Sequence, residues 1–250
     1  MKRMLMSVAA VAMLALPLGA TEIGDMTDAE RQAFRAEVRQ YLLDNPEVLM
    51  EAIGVLEQRQ AEEEAAAQEV AVAENAPALF NSSFDHVGGN LEGDVVIVEF
   101  VDYRCSFCRR AHPEVAELIE TDGNIRIITK EFPILGEQSV LASRFAIATN
   151  IALGGEAYEL VRDGLMAMRS DVTELALARL ADDLSLDSEA IFAAMDDPLV
   201  QTTIDANYAL GQRMGITGTP SFVFGDQLVQ GYVPLSNMQD IVAIIRDTAG

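Results

Sequence analysis

Val95-Val96-Ile97-Val98-Glu99-Phe100-Val101-Asp102-Tyr103-Arg104-Cys105-Ser106-Phe107-Cys108 is the stretch on which the reading of this chain turns. Its β-branched run predicts a buried strand, and a helical pattern over residues 112–119 follows, so both thiols fall at a strand-to-helix turn. A helix start presents unpaired N–H groups and about half a positive charge, which stabilises a thiolate at Cys105. The thiolate is the attacking form in disulfide exchange, so Cys105 is read as the nucleophile. Cys108, one helical turn deeper, is within bonding reach and is read as the resolving sulfur. These are the chain's only cysteines. As a structural bridge they would close a very short loop and stabilise little, so a working redox pair fits better.

The chain has 250 residues, 50% of them hydrophobic, enough for one domain with a sizeable core and an appendage. Met1-Lys2-Arg3, an apolar run over residues 4–16 and then Pro17-Leu18-Gly19-Ala20 have the plan of a secretory signal, with cleavage expected after Ala20. The mature chain is then expected in the periplasm, an oxidising compartment where dithiol chemistry is useful. Loss of Lys2 and Arg3 takes the net charge from −23 to −25, since the first twenty residues hold no acid. Such a chain repels nucleic acid and anionic headgroups.

Residues 21–75 are expected to form a helical stalk. Thr27 with Glu30 makes a capping box, and Phe34, Val38, Tyr41 and Leu42 follow at helical spacing. Asn45-Pro46 restarts the helix, and Leu49, Ile53 and Leu56 repeat at coiled-coil spacing. This apolar stripe on a charged helical pair calls for a partner, and self-association through residues 25–60 is expected, with an acidic linker over 62–75.

The catalytic domain is expected over residues 76–250. A short strand is read within 79–87, a turn at Gly88-Gly89, then the central strand, the cysteine helix and a second central strand at 125–132. That order makes a right-handed βαβ unit with parallel pairing. Residues 137–214 read as nearly continuous helix, an insertion. Strand signals return as a hairpin, 221–224 and 227–230 about Gly225-Asp226, closed by a helix over 236–248.

With these residues in place, the chain from Ala76 onward resembles the thioredoxin-fold family of DsbA type: an α/β fold with a helical insertion, here preceded by an N-terminal helical stalk. The resemblance rests on the CxxC, the insertion after the second central strand, and Gly218-Thr219-Pro220 before the hairpin. It implies that the Thr219-Pro220 bond is cis and sits beside the cysteines, leaving the Thr219 backbone to pair with a substrate strand. Phe107, between the cysteines, is assigned to substrate contact with Thr219. The wider family keeps a buried acid where Glu99 stands, which implies proton exchange with Cys108, and Lys130 on the neighbouring strand is expected to pair with it. Ser106-Phe107 departs from the Pro-His of strongly oxidising members, which implies a less extreme oxidant.

Phe34 to Leu56, centred on Tyr41-Leu42-Leu43-Asp44-Asn45-Pro46-Glu47, is similar to the N-terminal region of ScsC-like suppressor-of-copper-sensitivity proteins, some of them trimeric isomerases. That similarity favours isomerase work on a trimer. The expected partners are exported proteins with cysteines and a membrane redox partner. No cofactor or resident metal is expected, although Cys105, Cys108, His86 and His112 permit a zinc site on paper. A copper- or zinc-handling or chaperone-like module using the same thiols is the alternative.

Overall fold

The computed structural model describes residues 26–249, so the expected signal, 1–20, lies outside the described residues. Two units separate after Gln60. In the first, α1 (Asp28–Asp44) opens on the capping box: Glu30 N–H donates to Thr27 Oγ1 and Thr27 N–H donates to Glu30 Oε2. Helix α1 buries none of its residues, and Phe34, Val38, Tyr41, Leu49, Ile53 and Leu56 are all exposed.

Helix α2 (Glu47–Phe80) runs through Pro77, where the composition suggested a strand beginning near Leu79. The reason is burial. Val72 and Leu79, 2% and 0% exposed, pack with Phe100, Phe132 and Leu210, which outweighs the N–H that proline lacks. The first strand, β1 (His86–Gly89), is therefore later than expected, and Gly88-Gly89 closes it rather than turning the chain. Gly89 has φ +68°, and a Cβ there would meet Ile125 O at 2.5 Å, so only glycine fits this approach to the sheet. The turn itself follows at Asn90, whose carbonyl accepts from Gly93 N–H.

Strand β2 (Val95–Val101) leads into α3 (Ser106–Asp122), which ends at left-handed Gly123 before β3 (Ile125–Glu131). Five helices form the insertion: α4 (Glu137–Leu153), α5 (Gly155–Ala167), α6 (Glu174–Asp183), α7 (Ser188–Ala194) and α8 (Pro198–Arg213). The hairpin β4 (Ser221–Phe224) and β5 (Gln227–Gln230) and the helix α9 (Leu235–Ala249) complete the chain. The sheet order is β1-β3-β2-β4-β5, with β2 and β3 parallel and the other pairs antiparallel.

Alternation along β2 and β3 sorts the core into two faces. Val95, Ile97, Ile125 and Ile127 pack with Ala111, Val115 and Val242 of α3 and α9. Val98, Phe100 and Ile128 face Leu210 and the end of α2. A third cluster fills the helical insertion and reaches Val101, Tyr103 and both cysteines. Among the described residues no helix is long and apolar enough to cross a membrane.

Candidate active site

Strand β2 ends at Val101, and three residues later the chain enters α3 with Cys105 as its N-cap, in extended conformation at φ −73°, ψ 120°. Asp102 shapes this corner. Its carboxylate accepts from Arg104 N–H, Leu135 N–H and the Ser139 hydroxyl, at 2.7–2.9 Å, which ties the loop after β2 to the loop before α4. Both cysteines are free thiols, Cys105 7% exposed and Cys108 enclosed. Phe107 between them is 55% exposed, a large apolar side chain held out beside the thiols.

The two sulfurs are driven apart electrostatically. A hydrogen bond from the Cys108 thiol does most to bring Cys105 down to about 5; burial opposes it, and the Thr219 side chain and the backbone N–H groups of Cys108 and Phe107 assist. Cys108 moves far the other way, because it donates to Cys105, is buried, and feels the charges of Cys105 and Glu99. Opposite them the Thr219-Pro220 bond is cis, and Cys105 Sγ lies 3.1 Å from Thr219 O. At neutral pH this arrangement offers a largely enclosed thiolate at Cys105, a protonated thiol behind it, and a partly exposed backbone edge at Thr219 alongside.

Glu99 and Lys130 are both buried, but they do not meet. Lys130 pairs with Asp85 and also donates to Ala78 O at 2.6 Å, while Glu99 Oε2 accepts from Arg162 Nη2 of α5 at 2.6 Å. The parallel register sets Phe100 beside Lys130 and Glu99 beside Thr129, so Glu99 and Lys130 point to opposite faces of the sheet. The expected Glu99–Lys130 pair is thus replaced by two pairs, one on each face. Burial depresses Lys130, with Asp85 opposing. Burial also works against the charge of Arg162, but Glu99 and the neighbouring Tyr158, Tyr103 and Glu131 outweigh it and hold the guanidinium above its ordinary value.

Two participants were missed from sequence, Arg162 and Glu131. Arg162 follows Tyr158 by four in an apolar helix, a charged residue on a stripe that should be buried, and that was a usable signal. Glu131, 2% exposed, accepts from the hydroxyls of Tyr103, Tyr158 and Ser143 at 2.6–2.7 Å. Burial pushes it up to about 7 against those hydrogen bonds. Nothing near it in sequence announces these donors.

The arginines beside the thiols are committed within the protein. Arg104 donates to Ser170 O, Arg109 to Tyr103 O, and Arg110 lies over the Tyr232 ring at 4.3 Å. The histidines do not join the cysteines: His86 contacts Glu159 and His112 contacts Asp163. Among the described residues no group of three or more His, Cys, Asp or Glu is placed to hold a metal ion.

A strand-helix-strand unit and a terminal hairpin, with a dithiol at the helix start facing a cis proline, define the thioredoxin class of fold. Residues 96–243 match the DSBA-like thioredoxin domain family, and the chain belongs to that family. Residues 30–63 match the copper resistance protein ScsC N-terminal domain. A thioredoxin-like oxidoreductase from Silicibacter pomeroyi is 42% identical, covering 69% of this chain and 98% of that one at a TM-score of 0.66. Proteus mirabilis ScsC in a transitional conformation is 28% identical over 88% of this chain and 96% of its own, TM-score 0.64. A periplasmic thioredoxin-like protein from Salmonella enterica serovar Typhimurium is 26% identical over 67% and 93%, TM-score 0.59. Among curated proteins, Na(+)/H(+) antiporter NhaA 3 of Salinispora tropica is 28% identical over 138 residues; the chain spans about a fifth of that relative's length, 21%. The fold is that of a thiol–disulfide oxidoreductase.

Proposed function

We propose that this protein is a periplasmic thiol:disulfide interchange protein that forms or isomerises disulfides in exported proteins. Cys105 attacks, Cys108 resolves, Glu99 takes the proton of Cys108, and Thr219-Pro220 with Phe107 docks the substrate. The observation that carries this reading is the splitting of the two thiols, Cys105 down to about 5 and Cys108 far up, beside a cis Thr219-Pro220. Lys130, held by Asp85 on the other face of the sheet, supports the site through the strand it anchors.

The division into a signal at 1–20, a stalk at 21–75 and a catalytic domain at 76–250 belongs to this reading, with the last turns of α2 from Val72 packed on the catalytic side. Self-association through residues 25–60, as a trimer, is supported by the exposed apolar stripe from Phe34 to Leu56, and several sites on one assembly favour isomerisation. Export is supported by the composition of residues 1–20. A membrane redox partner would reset the cysteine pair.

Cys108→Ser in the full chain should trap mixed disulfides with a reduced, unfolded substrate under oxidising conditions, and Cys105→Ser should not. The reverse pattern would exchange the two roles. Rescue of a scrambled-disulfide substrate that collapses in Phe34→Glu/Ile53→Glu would make the protein an oligomeric isomerase. Rapid oxidation of a reduced substrate without rescue would make it an oxidase. Metal handling is a second reading, favoured by the match of residues 30–63 to a copper resistance protein domain; tight Cu(I) binding by the dithiol without disulfide turnover would select it.

A further inference from the structure

Behind the reactive helix, Glu99 Oε1, Arg162 Nε and His112 Nδ1 are each enclosed and each lack a protein partner. They belong together: Glu99 and Arg162 are bonded, and His112 and Arg162 line one cleft of about 430 Å³ with Gly89, Glu120, Glu159 and Asp163. One such atom left unbonded costs about 1–3 kcal/mol, so three on side chains linked through Arg162, two of which line the cleft while Glu99 lies enclosed behind it, point to enclosed water as their missing partner. Cys108 and His112 are four residues apart on α3 and therefore share a face of that helix.

The chemistry of His112 is set by its other nitrogen. Nε2 lies 2.8 Å from Asp163 Oδ1, and a carboxylate only accepts, so Nε2 carries the hydrogen and Nδ1 of the neutral ring is a bare acceptor. The groups facing this ring are Glu99 from β2, Arg162, Asp163 and Glu159 from α5, and Glu120 from its own helix; His86 of β1 is occupied by Glu159. Burial and then Arg162 hold the imidazole below its ordinary value, against Glu99 and Asp163, so the ring is ready to accept at neutral pH.

We propose that His112 is the outlet for the proton that Cys108 surrenders when it resolves a mixed disulfide. The inference rests on the exchange reading given above. The Cys108 S–H proton passes to Glu99, then through enclosed water beside Arg162 to His112 Nδ1, while His112 Nε2–H releases its own proton toward Asp163 and solvent. The sulfur left behind attacks Cys105, the Cys105–Cys108 bond forms, the Cys105–substrate bond breaks, and the substrate sulfur leaves as a thiolate. The protein dithiol is oxidised to a disulfide and the substrate disulfide is reduced. His112 touches neither sulfur and is a positioning residue of the proton path.

The test uses the reduced full chain and dithiobis(nitrobenzoate), which releases one coloured thiolate when Cys105 attacks and a second when Cys108 resolves. His112→Phe and His112→Gln are expected to leave the first release unchanged. They should slow the second about tenfold near neutral pH, with recovery at higher pH or on adding imidazole. Asp163→Ala, at a side chain 67% exposed, should keep the fold and shift the pH profile and solvent isotope effect of the second release. A second release that matches the parent protein at every pH, in the His112 variants or, should those not fold, in Asp163→Ala, overturns the proposal. Absence of the first release in the parent protein would instead overturn the exchange reading itself.

Discussion

The two faces of the central strand pair each bury an ion pair, and the two pairs are built differently. Lys130 meets Asp85 and Ala78 O, and Asp85 also accepts from Asn207, with both ionic side chains 1% exposed. On the other face Glu99, whose charge Cys108 feels, meets Arg162 through one oxygen only, leaving Glu99 Oε1 and Arg162 Nε enclosed and unbonded within the protein, with Arg162 lining a cleft. A buried charge with its hydrogen bonds filled is fixed in one protonation state and serves the fold. One with a free lone pair can exchange a proton, and that freedom costs stability. In the proposed mechanism the difference separates a scaffold pair from a chemical one on the same two strands.

The largest effect should come from breaking the filled pair. Lys130→Met leaves Asp85 buried without its cation, with only Asn207 still donating to it, and should cost about 3–5 kcal/mol by urea unfolding, with both thiolate-release steps unchanged in whatever folds. Next comes Glu131, on the same face as Glu99. From an ordinary 4.5 it is lifted to about 7 by burial, so between those values the folded chain keeps a proton that the unfolded chain has lost. Stability should therefore fall as pH rises through that window and level off above it, by about 3 kcal/mol in all, and Glu131→Gln should flatten the slope.

Glu99→Gln should do the opposite of Lys130→Met. Its amide oxygen still accepts from Arg162, so the stability loss should be the smaller of the two, while the second thiolate release slows about a hundredfold. Equal stability losses with no kinetic effect would erase the distinction between the faces. The smallest effect is at Thr129, 1% exposed, whose hydroxyl is also unpartnered and which stands beside Glu99 in the register. Thr129→Val should raise the unfolding free energy by about 1 kcal/mol, read as a higher urea midpoint. A loss there would mean that the hydroxyl is held by water continuous with the Glu99 site.

Much of this molecule was legible residue by residue. The hairpin strands were read at their observed limits, 221–224 and 227–230, because Gly225-Asp226 punctuates two short β-rich runs. The capping box at Thr27 and the placement of the cysteines at a helix start are local matters, decided within four residues. The extension of α2 to Phe80 was not local, because Val72 and Leu79 are helical there through packing against Phe100 and Leu210.

What the sequence determined by itself is the dithiol at a strand-to-helix junction, the βαβ order, the helical insertion and the apolar stripe near the N-terminus, all of them set by spacing along the chain. What the tertiary structure decided is who meets whom across the sheet. The parallel register, one residue either way, assigns Glu99 to Arg162 and Lys130 to Asp85, because successive side chains on a strand face opposite sides and the partners come from a helix 63 residues distant and a connecting loop 45 residues distant.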